Sequence, residues 1–524
     1  MISQWPEERL HRIRWWLAIG WAVLIASLLI DPITPSLSDP SNALSPFHLA
    51  AADGLGPSQC VQVQARCLAV HPYSLSARIF WSMIVPIGLL IIFVLGHDSW
   101  RRICPLSFFS QLPRALGMQR KRGRRSDADN GRQELVTVDK KSWLGRNHLV
   151  LQFGLLILGL ACRLLFINSD RLALAAFLIG TIAASILVGY LYAGKSWCQY
   201  FCPMAPVEMI FTGPRGLLGK PAHIDAQRGL TQSICRSVDA KTGQEKSACV
   251  GCMSPCIDID AERSYWERIA NTDRRLVHYG YIGLVLGFYL YFFLYAGNWT
   301  YYYSGAWTHD DQQLNSLFSP GFYLWGHPLP VPKLLAAPLT LVACTALSIV
   351  LLKLAEKVCI RILRRQGKTP IQSETLHHIF TLSTFAVWNL FWVFGSRPNI
   401  NLLPQPLQQL FSGLIVLVSS LWLYRTWGRT GDQYSRESLA NTLRRQIDKQ
   451  GIDFGKLLSR SSTELKADEV YVLAKVLPDV NQHKRLEVYK NVLETALRGG
   501  IVQSAESSLL KELQTSLEIS TSEH

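Results

Sequence analysis

Residues 172–206 read LALAAFLIGTIAASILVGYLYAGKSWCQYFCPMAP, an uncharged, largely apolar run from 172 to 193 that gives way at once to two cysteines and a Cys-Pro step. A helix of that length rises roughly 33 Å, enough to cross a hydrocarbon core of about 30 Å. The stretch therefore reads as a bilayer span that delivers Cys198 and Cys202 to one membrane surface. Runs of the same character lie near residues 15–30, 79–95, 148–166, 277–296, 334–352, 379–395 and 408–424. The fold expected is mainly α: a polytopic helical membrane protein of about eight transmembrane helices. The run at 379–395 is short and contains Asn389, so a tilted or re-entrant segment is the alternative there. The first run follows Arg9, Arg12 and Arg14 as a secretory signal would, but it ends at Asp31-Pro32 with no small-residue cleavage site close behind, so a retained anchor is expected.

Only 17% of the 524 residues are charged and 49% are hydrophobic, against roughly 25% charged in a soluble domain. The net charge of +15 would suggest nucleic acid in a soluble protein. Its distribution argues otherwise. One alternating set of connecting segments holds the arginines before residue 15, the run QRKRGRR at 119–125, Lys140, Lys141, Lys195, Lys220, Arg274, Arg275 and the stretch from Lys357 to Lys368. The other holds Arg66, Arg78, Arg171, Lys333 and Arg397. By the positive-inside rule both termini are cytoplasmic, in a plasma or other energy-transducing membrane. Anionic lipids are the partners expected for the 119–125 run, and no nucleic acid is expected.

Four regions follow: an anchor helix and outer loop (1–78), a cysteine-bearing membrane module (79–276), a four-helix membrane region with an aromatic outer loop (277–430), and a C-terminal all-helical domain (431–524). In the last, Leu439, Leu443 and Ile447 form one helical stripe, and Leu486, Val488, Tyr489, Val492, Leu493 and Ala496 form another. Its pattern loosely resembles the helical pairs of tellurite-resistance-B-like domains, a likeness that carries no catalytic residues. Docking or dimerisation is the role expected of it.

Seven of the twelve cysteines fall in two loops of the basic set: Cys104 in one, and Cys198, Cys202, Cys235, Cys249, Cys252 and Cys256 in the other. A reducing compartment keeps such thiols out of stable disulfides, so their clustering points to metal. CVGCMSPC at 249–256 is C-x2-C-x3-C, close to the run that wraps a [4Fe-4S] cluster in bacterial ferredoxins. Short gaps let successive thiolates reach different corners of one cubane, with loop amides pointing at the sulfurs. Zinc is the rival, but a ribbon needs a second C-x2-C about 15–20 residues away, and the sequence has none. Cys104-Pro105 and Cys202-Pro203 belong to an internal repeat. GHDSWRRICPLSFF from Gly96 and GKSWCQYFCPMAPVEMIF from Gly194 each leave a pair of spans, with Trp100 opposite Cys198.

Paired helices ending in C-x3-C-P beside a ferredoxin-like Cys loop resemble the membrane-bound polyferredoxins of the periplasmic nitrate reductase, nitrous-oxide reductase maturation and cytochrome-oxidase assembly systems. The resemblance covers roughly residues 79–260. It implies single-electron transfer through [4Fe-4S] clusters at the cytoplasmic face, with Cys198 and Cys202 matching the second motif and Cys104 the last Cys of the first. The chain departs from the pattern at Trp100, and in having one ferredoxin-like loop where full members have two four-Cys runs.

Seven thiolates fill one four-Cys cluster and fall one short of a second. Cys235, Cys249, Cys252 and Cys256 are the most local set. Cys104, Cys198 and Cys202 could hold another with His97 or Asp98 as fourth ligand, and a mixed assignment using Cys202 for the 249–256 loop stays open. Arg101, Arg102, Lys195, Arg236 and Lys246 lie beside these ligands, where positive charge would raise a cluster potential. Partners would be a soluble redox donor or acceptor and a membrane redox partner, and the chain reads more as an electron carrier than as a catalyst of bond chemistry. The alternative is a redox or iron-sulfur sensor that signals through the C-terminal domain.

Other signals read as structural. His97, His148, His278, His377 and His378 near span ends raise, and do not carry, a haem reading. Arg163 is expected to snorkel, the aromatic residues of 298–332 to form an interfacial belt, and Cys162, Cys344 and Cys359 to be bystanders. Cys60 and Cys67 could pair as an outer disulfide. No P-loop, dinucleotide fingerprint or Ser-His-Asp arrangement appears.

Overall fold

The computed structural model describes residues 7–42, 60–69, 71–123, 133–219, 235–238, 245–247, 249–311, 313–367 and 369–449, with isolated positions elsewhere. Among them, eight helices are long and apolar enough to cross a membrane: Glu8–Leu29, Ser76–Leu95, Trp143–Ile167, Arg171–Leu191, Thr272–Ala296, Lys333–Arg365, Gln372–Ile400 and Gln405–Trp427, the first to eighth spans. Each coincides with one apolar run of the sequence. The sixth continues past residue 352 to Arg365 on a largely exposed, charged extension. The seventh is as long as its neighbours, and Asn389 is satisfied within it: its amide donates to Phe385 O at 2.9 Å and to Ser419 Oγ of the eighth span at 3.0 Å.

Sequence sets where these helices start. Ser142 accepts from the Gly145 amide at 3.0 Å and Asp170 from the Ala173 amide at 2.7 Å, each satisfying a donor that the first helical turn leaves unpaired. The fifth span is the hub, with most of its side chains buried. Its glycines 280, 283 and 287 share one face. A Cβ on Gly283 would meet Cys344 O and Ser348 Oγ, and one on Gly287 would meet Cys344 Cβ at 2.8 Å. Small residues let the fifth and sixth backbones approach closely, so Cys344 is a packing residue. Ser348 Oγ adds a bond to Tyr279 O at 2.7 Å.

The second and fourth spans exchange their cysteine loops. Residues after the first loop pack on the fourth span, with Arg120 N donating to Tyr190 O at 2.9 Å and Gln119 Nε2 to Gly189 O at 3.2 Å. The segment after the second loop returns to the second span, with Leu217 N donating to Phe93 O at 2.9 Å.

At the opposite end of the bundle two hairpins, Cys60–Val63 with Arg66–Ala69 and Pro320–Leu324 with His327–Pro332, cover the helix ends. Cys67 is disulfide-bonded, on a hairpin whose first strand begins at Cys60. The aromatic segment there is not mainly a belt. Tyr301, Tyr302 and Trp307 are core residues, whereas Phe318 and Trp325 are exposed. Arg163 does not snorkel either. Its guanidinium lies 4.2 Å from the Trp81 ring centre and 4.8 Å from that of Phe288, and Nε donates to Asn168 Oδ1 at 2.9 Å. Aromatic faces replace water around the cation.

Of the C-terminal region, the helix Gly431–Lys449 is described, with Leu439 and Leu443 buried. Of the second stripe, Leu486, Tyr489 and Leu493 are helical and Tyr489 is buried, whereas Val488, Val492 and Ala496 lie outside the described residues.

Candidate cysteine site

The two Cys-Pro steps are conformational copies. Gly96 and Gly194, ninety-eight positions apart, both take positive φ, 89° and 76°, as the chain turns sharply out of each span. Eight residues later Cys104 (φ −55°, ψ 124°) and Cys202 (φ −61°, ψ 119°) adopt the same extended geometry, the one a following proline favours. Helices Pro105–Phe109 and Ala205–Thr212 then begin. Trp100, opposite Cys198, packs on the second span at Gly88, so the first copy carries a packing residue where the second carries a thiol.

The thiols gather in two neighbourhoods. Cys104, Cys198 and Cys202 lie within electrostatic reach of one another, as do Cys235, Cys249 and Cys252, with Cys256 within reach of Cys252. Burial pushes Cys104, Cys235 and Cys256 up to about 12 and raises Cys198, Cys202 and Cys252. Backbone amides oppose it. The amide two residues on donates to the sulfur of Cys104, Cys202, Cys249 and Cys256, from Leu106, Met204, Gly251 and Asp258. Cys252 instead receives the amide of Lys195 from the other loop.

That crossing fixes the two loops together. Tyr200 OH donates to Cys252 O at 2.7 Å, and Gly194 backs so closely on the 249–256 loop that a Cβ would stand 2.8 Å from Cys252 Cβ. Among the described residues, however, no group of three or more His, Cys, Asp or Glu side chains is placed so that it could hold a metal ion.

Between the neighbourhoods lies a buried charge network that the sequence reading did not single out. Arg101 Nε donates to Glu208 Oε2 at 2.7 Å and its NH1 stands 3.5 Å from Asp258 Oδ1. Lys195 Nζ is 3.2 Å from Asp258 Oδ2, which also accepts from Gln199 Nε2 at 3.2 Å. Burial works against ionisation of Asp258, but Lys195 and Arg101 outweigh it and hold the carboxyl at about 2. The positive charge expected beside the cysteines is thus largely neutralised at Arg101 and Lys195. A lone Glu in the apolar helix APVEMIFT and an Asp two residues after Cys256 were the available signals. The side chains of Asp98, Arg236 and Lys246 lie outside the described residues.

His97 touches this site. Nε2 lies 2.8 Å from Ile257 O, Nδ1 is buried without a hydrogen-bond partner, and burial lowers its pKa to about 4. The other histidines are placed by packing. His278 stacks on Phe380 with ring centres 3.9 Å apart, and His377 sits between Tyr265 OH at 3.0 Å and Thr426 O at 2.9 Å.

The segment following Cys256 is clasped by the tail. Asp260 caps helix Ala261–Arg268 by accepting from the Arg263 amide at 2.9 Å, and its other oxygen accepts from Tyr434 OH at 2.8 Å. Arg429 bridges Glu262 at 2.6 Å and Glu437 at 2.5 Å. Comparison with family models, characterised proteins and solved structures gives no match for the chain.

Proposed function

We propose that the chain is an integral membrane iron-sulfur protein that moves single electrons at the cysteine end of the bundle. The observation that carries this reading is the set of amides aimed at five of the seven loop sulfurs, the arrangement that stabilises anionic thiolates. The donors fit such a group in kind and in their division into a four-thiol and a three-thiol neighbourhood, although they are not closed around a single point. When bound, a [4Fe-4S] centre supplies a one-electron couple. Cys235, Cys249, Cys252 and Cys256 would hold one, and Cys104, Cys198 and Cys202 a second, with His97 Nδ1 available as a fourth donor. The protein's own contribution is to bury Cys198 and Cys202, to aim amides at the sulfurs, and to balance Arg101 and Lys195 against Glu208 and Asp258.

The gathering of Lys and Arg at this end supports placing it, and both termini, in the cytoplasm. A soluble redox partner would meet the exposed Cys249, and a membrane partner would exchange electrons within the bilayer. The test is iron and sulfide content with an EPR spectrum of the anaerobically purified, reduced protein. About four irons per chain supports one cluster and about eight supports two, while zinc without iron overturns the reading. The clasp on Asp260 and Glu262 favours a second reading, in which the state of the cysteine loop is signalled to the tail. Deleting residues 436–524 separates them, since electron transfer that survives while regulation is lost supports the sensor.

A further inference from the structure

A cavity of about 260 Å³ opens beside Cys198, where the third and fifth spans begin. Its floor includes the buried side chains of Gln152, Gln199 and Arg274, and its rim includes the exposed Arg146 and Asn271. Arg268 completes one wall.

Two of its cations, the buried Arg274 and the half-buried Arg268, have no carboxylate partner among the described residues. Arg101 in the same wall has Glu208 and Asp258. Arg274, only 4% exposed, donates NH1 to the carbonyls of Ser264 and Tyr265 at 2.8 and 3.0 Å, turns Nε onto Met209 Sδ at 3.2 Å and lies 5.1 Å from the Tyr265 ring centre. Arg268 donates NH2 to Ser254 O at 2.9 Å and NH1 to Met253 Sδ at 3.7 Å. A thioether is a weak acceptor, and a buried cation is normally neutralised. Asp273, the lone carboxylate of the lining, instead turns Oδ1 to the Arg274 backbone amide at 2.8 Å.

Backbone charge adds to theirs. The third and fifth spans both start beside this cavity, with Gly145 and Asp273 of their first turns in its lining, so two helix N-termini, each carrying roughly half a positive charge, border it. Asn271 makes no side-chain cap on the fifth; one early amide of each helix is taken by a side chain, Arg274 N by Asp273 and Gly145 N by Ser142. Two guanidinium forks and two helix starts suit a compact oxyanion with several acceptor oxygens. The volume is small beside the roughly 300–1,000 Å³ of drug-sized sites, which favours a phosphate group over a whole cofactor.

We propose that this cavity binds a phosphate group, held by Arg274 and Arg268 beside Cys198. The source is a phospholipid headgroup or free phosphate, because the site lies at the mouth of two spans and also opens to solvent at Arg146. The proposal goes beyond the electron-carrier reading and does not require the cysteines to hold a cluster.

The full-length protein, purified in detergent, is analysed for bound phosphorus, examined by native mass spectrometry, and titrated with inorganic phosphate. It is also reconstituted in phosphatidylglycerol or phosphatidylcholine nanodiscs. About one phosphorus-bearing ligand per chain is expected, with affinity at least about tenfold lower in R268Q/R274Q. R146Q, at the exposed rim, keeps the buried wall intact and is expected to weaken binding about threefold, so the test survives if the double variant misfolds. Retained phosphatidylglycerol that phosphate cannot displace identifies a lipid headgroup, and saturable phosphate binding without retained lipid identifies the free ion; both support the proposal. No bound phosphorus and no titration, or binding equal in wild type, R146Q and R268Q/R274Q, overturns it. Iron and sulfide measured on the same samples report the cluster reading separately.

Discussion

Arg101 and Glu208 meet at 2.7 Å, with side chains 3% and 6% exposed. The contact joins the helix before the first Cys-Pro step to the helix after the second. Because Asp258 and Lys195 complete the set, two cations and two anions share one buried volume, and the three cysteine-bearing segments are held by a charge balance as well as by packing.

Breaking that balance on one side should cost more than removing a whole pair. Arg101→Met leaves Glu208 buried without its partner, a change worth about 3–5 kcal/mol. The thermal midpoint in detergent is expected to fall by several degrees. Arg101→Met combined with Glu208→Met leaves Lys195 against Asp258 and is expected to recover much of the loss. A double variant no better than Arg101→Met would show that the network is not balanced as described.

Gly194 lets the second loop lie against the 249–256 loop. Gly194→Ala places a Cβ at φ 76° and 2.8 Å from Cys252 Cβ. The backbone alone costs about 1–2 kcal/mol, and the contact displaces the cysteine. Iron recovered with the protein should fall severalfold while the membrane fold persists by circular dichroism. Gly251→Ala, also at positive φ but with open space around it, carries the backbone cost without the clash and should lose less.

Asp31 ties the end of the first span to the start of the second. Its carboxylate accepts from the amides of Ile33 and Thr34 at 3.2 and 2.9 Å and from Ser76 Oγ at 3.1 Å, with the Thr34 and Ser74 hydroxyls also bound. Burial opposes ionisation, but these donors hold the pKa at about 2 against its ordinary 3.8. A carboxyl depressed on folding stabilises fully above its unfolded value and loses that contribution as pH falls through the folded one. The melting midpoint of wild type should therefore exceed that of Asp31→Asn at pH 5, and the gap should close between 3.8 and about 2. A gap unchanged at pH 2 would remove the carboxylate from the account.

The spans were legible because hydrocarbon thickness imposes a length that any apolar run reveals by itself. The Cys-Pro repeat was legible for a similar reason, since Gly, Cys and Pro at fixed offsets carry their own backbone preferences. Arg163 and the aromatic segment were not, because a composition of rings suits a belt and a core equally. Only the third dimension, which sets Trp81 and Phe288 around the cation, decides between them. The Arg101, Glu208, Asp258 and Lys195 network was hidden for the same cause: its members come from three segments, and no local period marks residues that meet only after the loops exchange spans.

Arg429 tests whether the tail is coupled to the cysteine loop. Its side chain, 10% exposed, spans Glu262 and Glu437. Glu262 lies on the helix that Asp260 caps, a few residues beyond Cys256. Arg429→Ala leaves Glu262 buried without this partner and should loosen the Gly431–Lys449 helix by about 3 kcal/mol. That corresponds to roughly a hundredfold rise in the population of the open form, read as faster limited proteolysis within residues 431–449. Tyr434→Phe removes one bond to the capping carboxylate and should act in the same direction by about 1–2 kcal/mol. If oxidation or loss of a bound cluster shifts the 249–256 loop, the wild-type tail should show the same acceleration on oxidation, and Arg429→Ala should show no further change. Cleavage rates that are unaffected by Arg429→Ala would mean that the clasp holds nothing in solution, and the sensor reading would lose its structural basis.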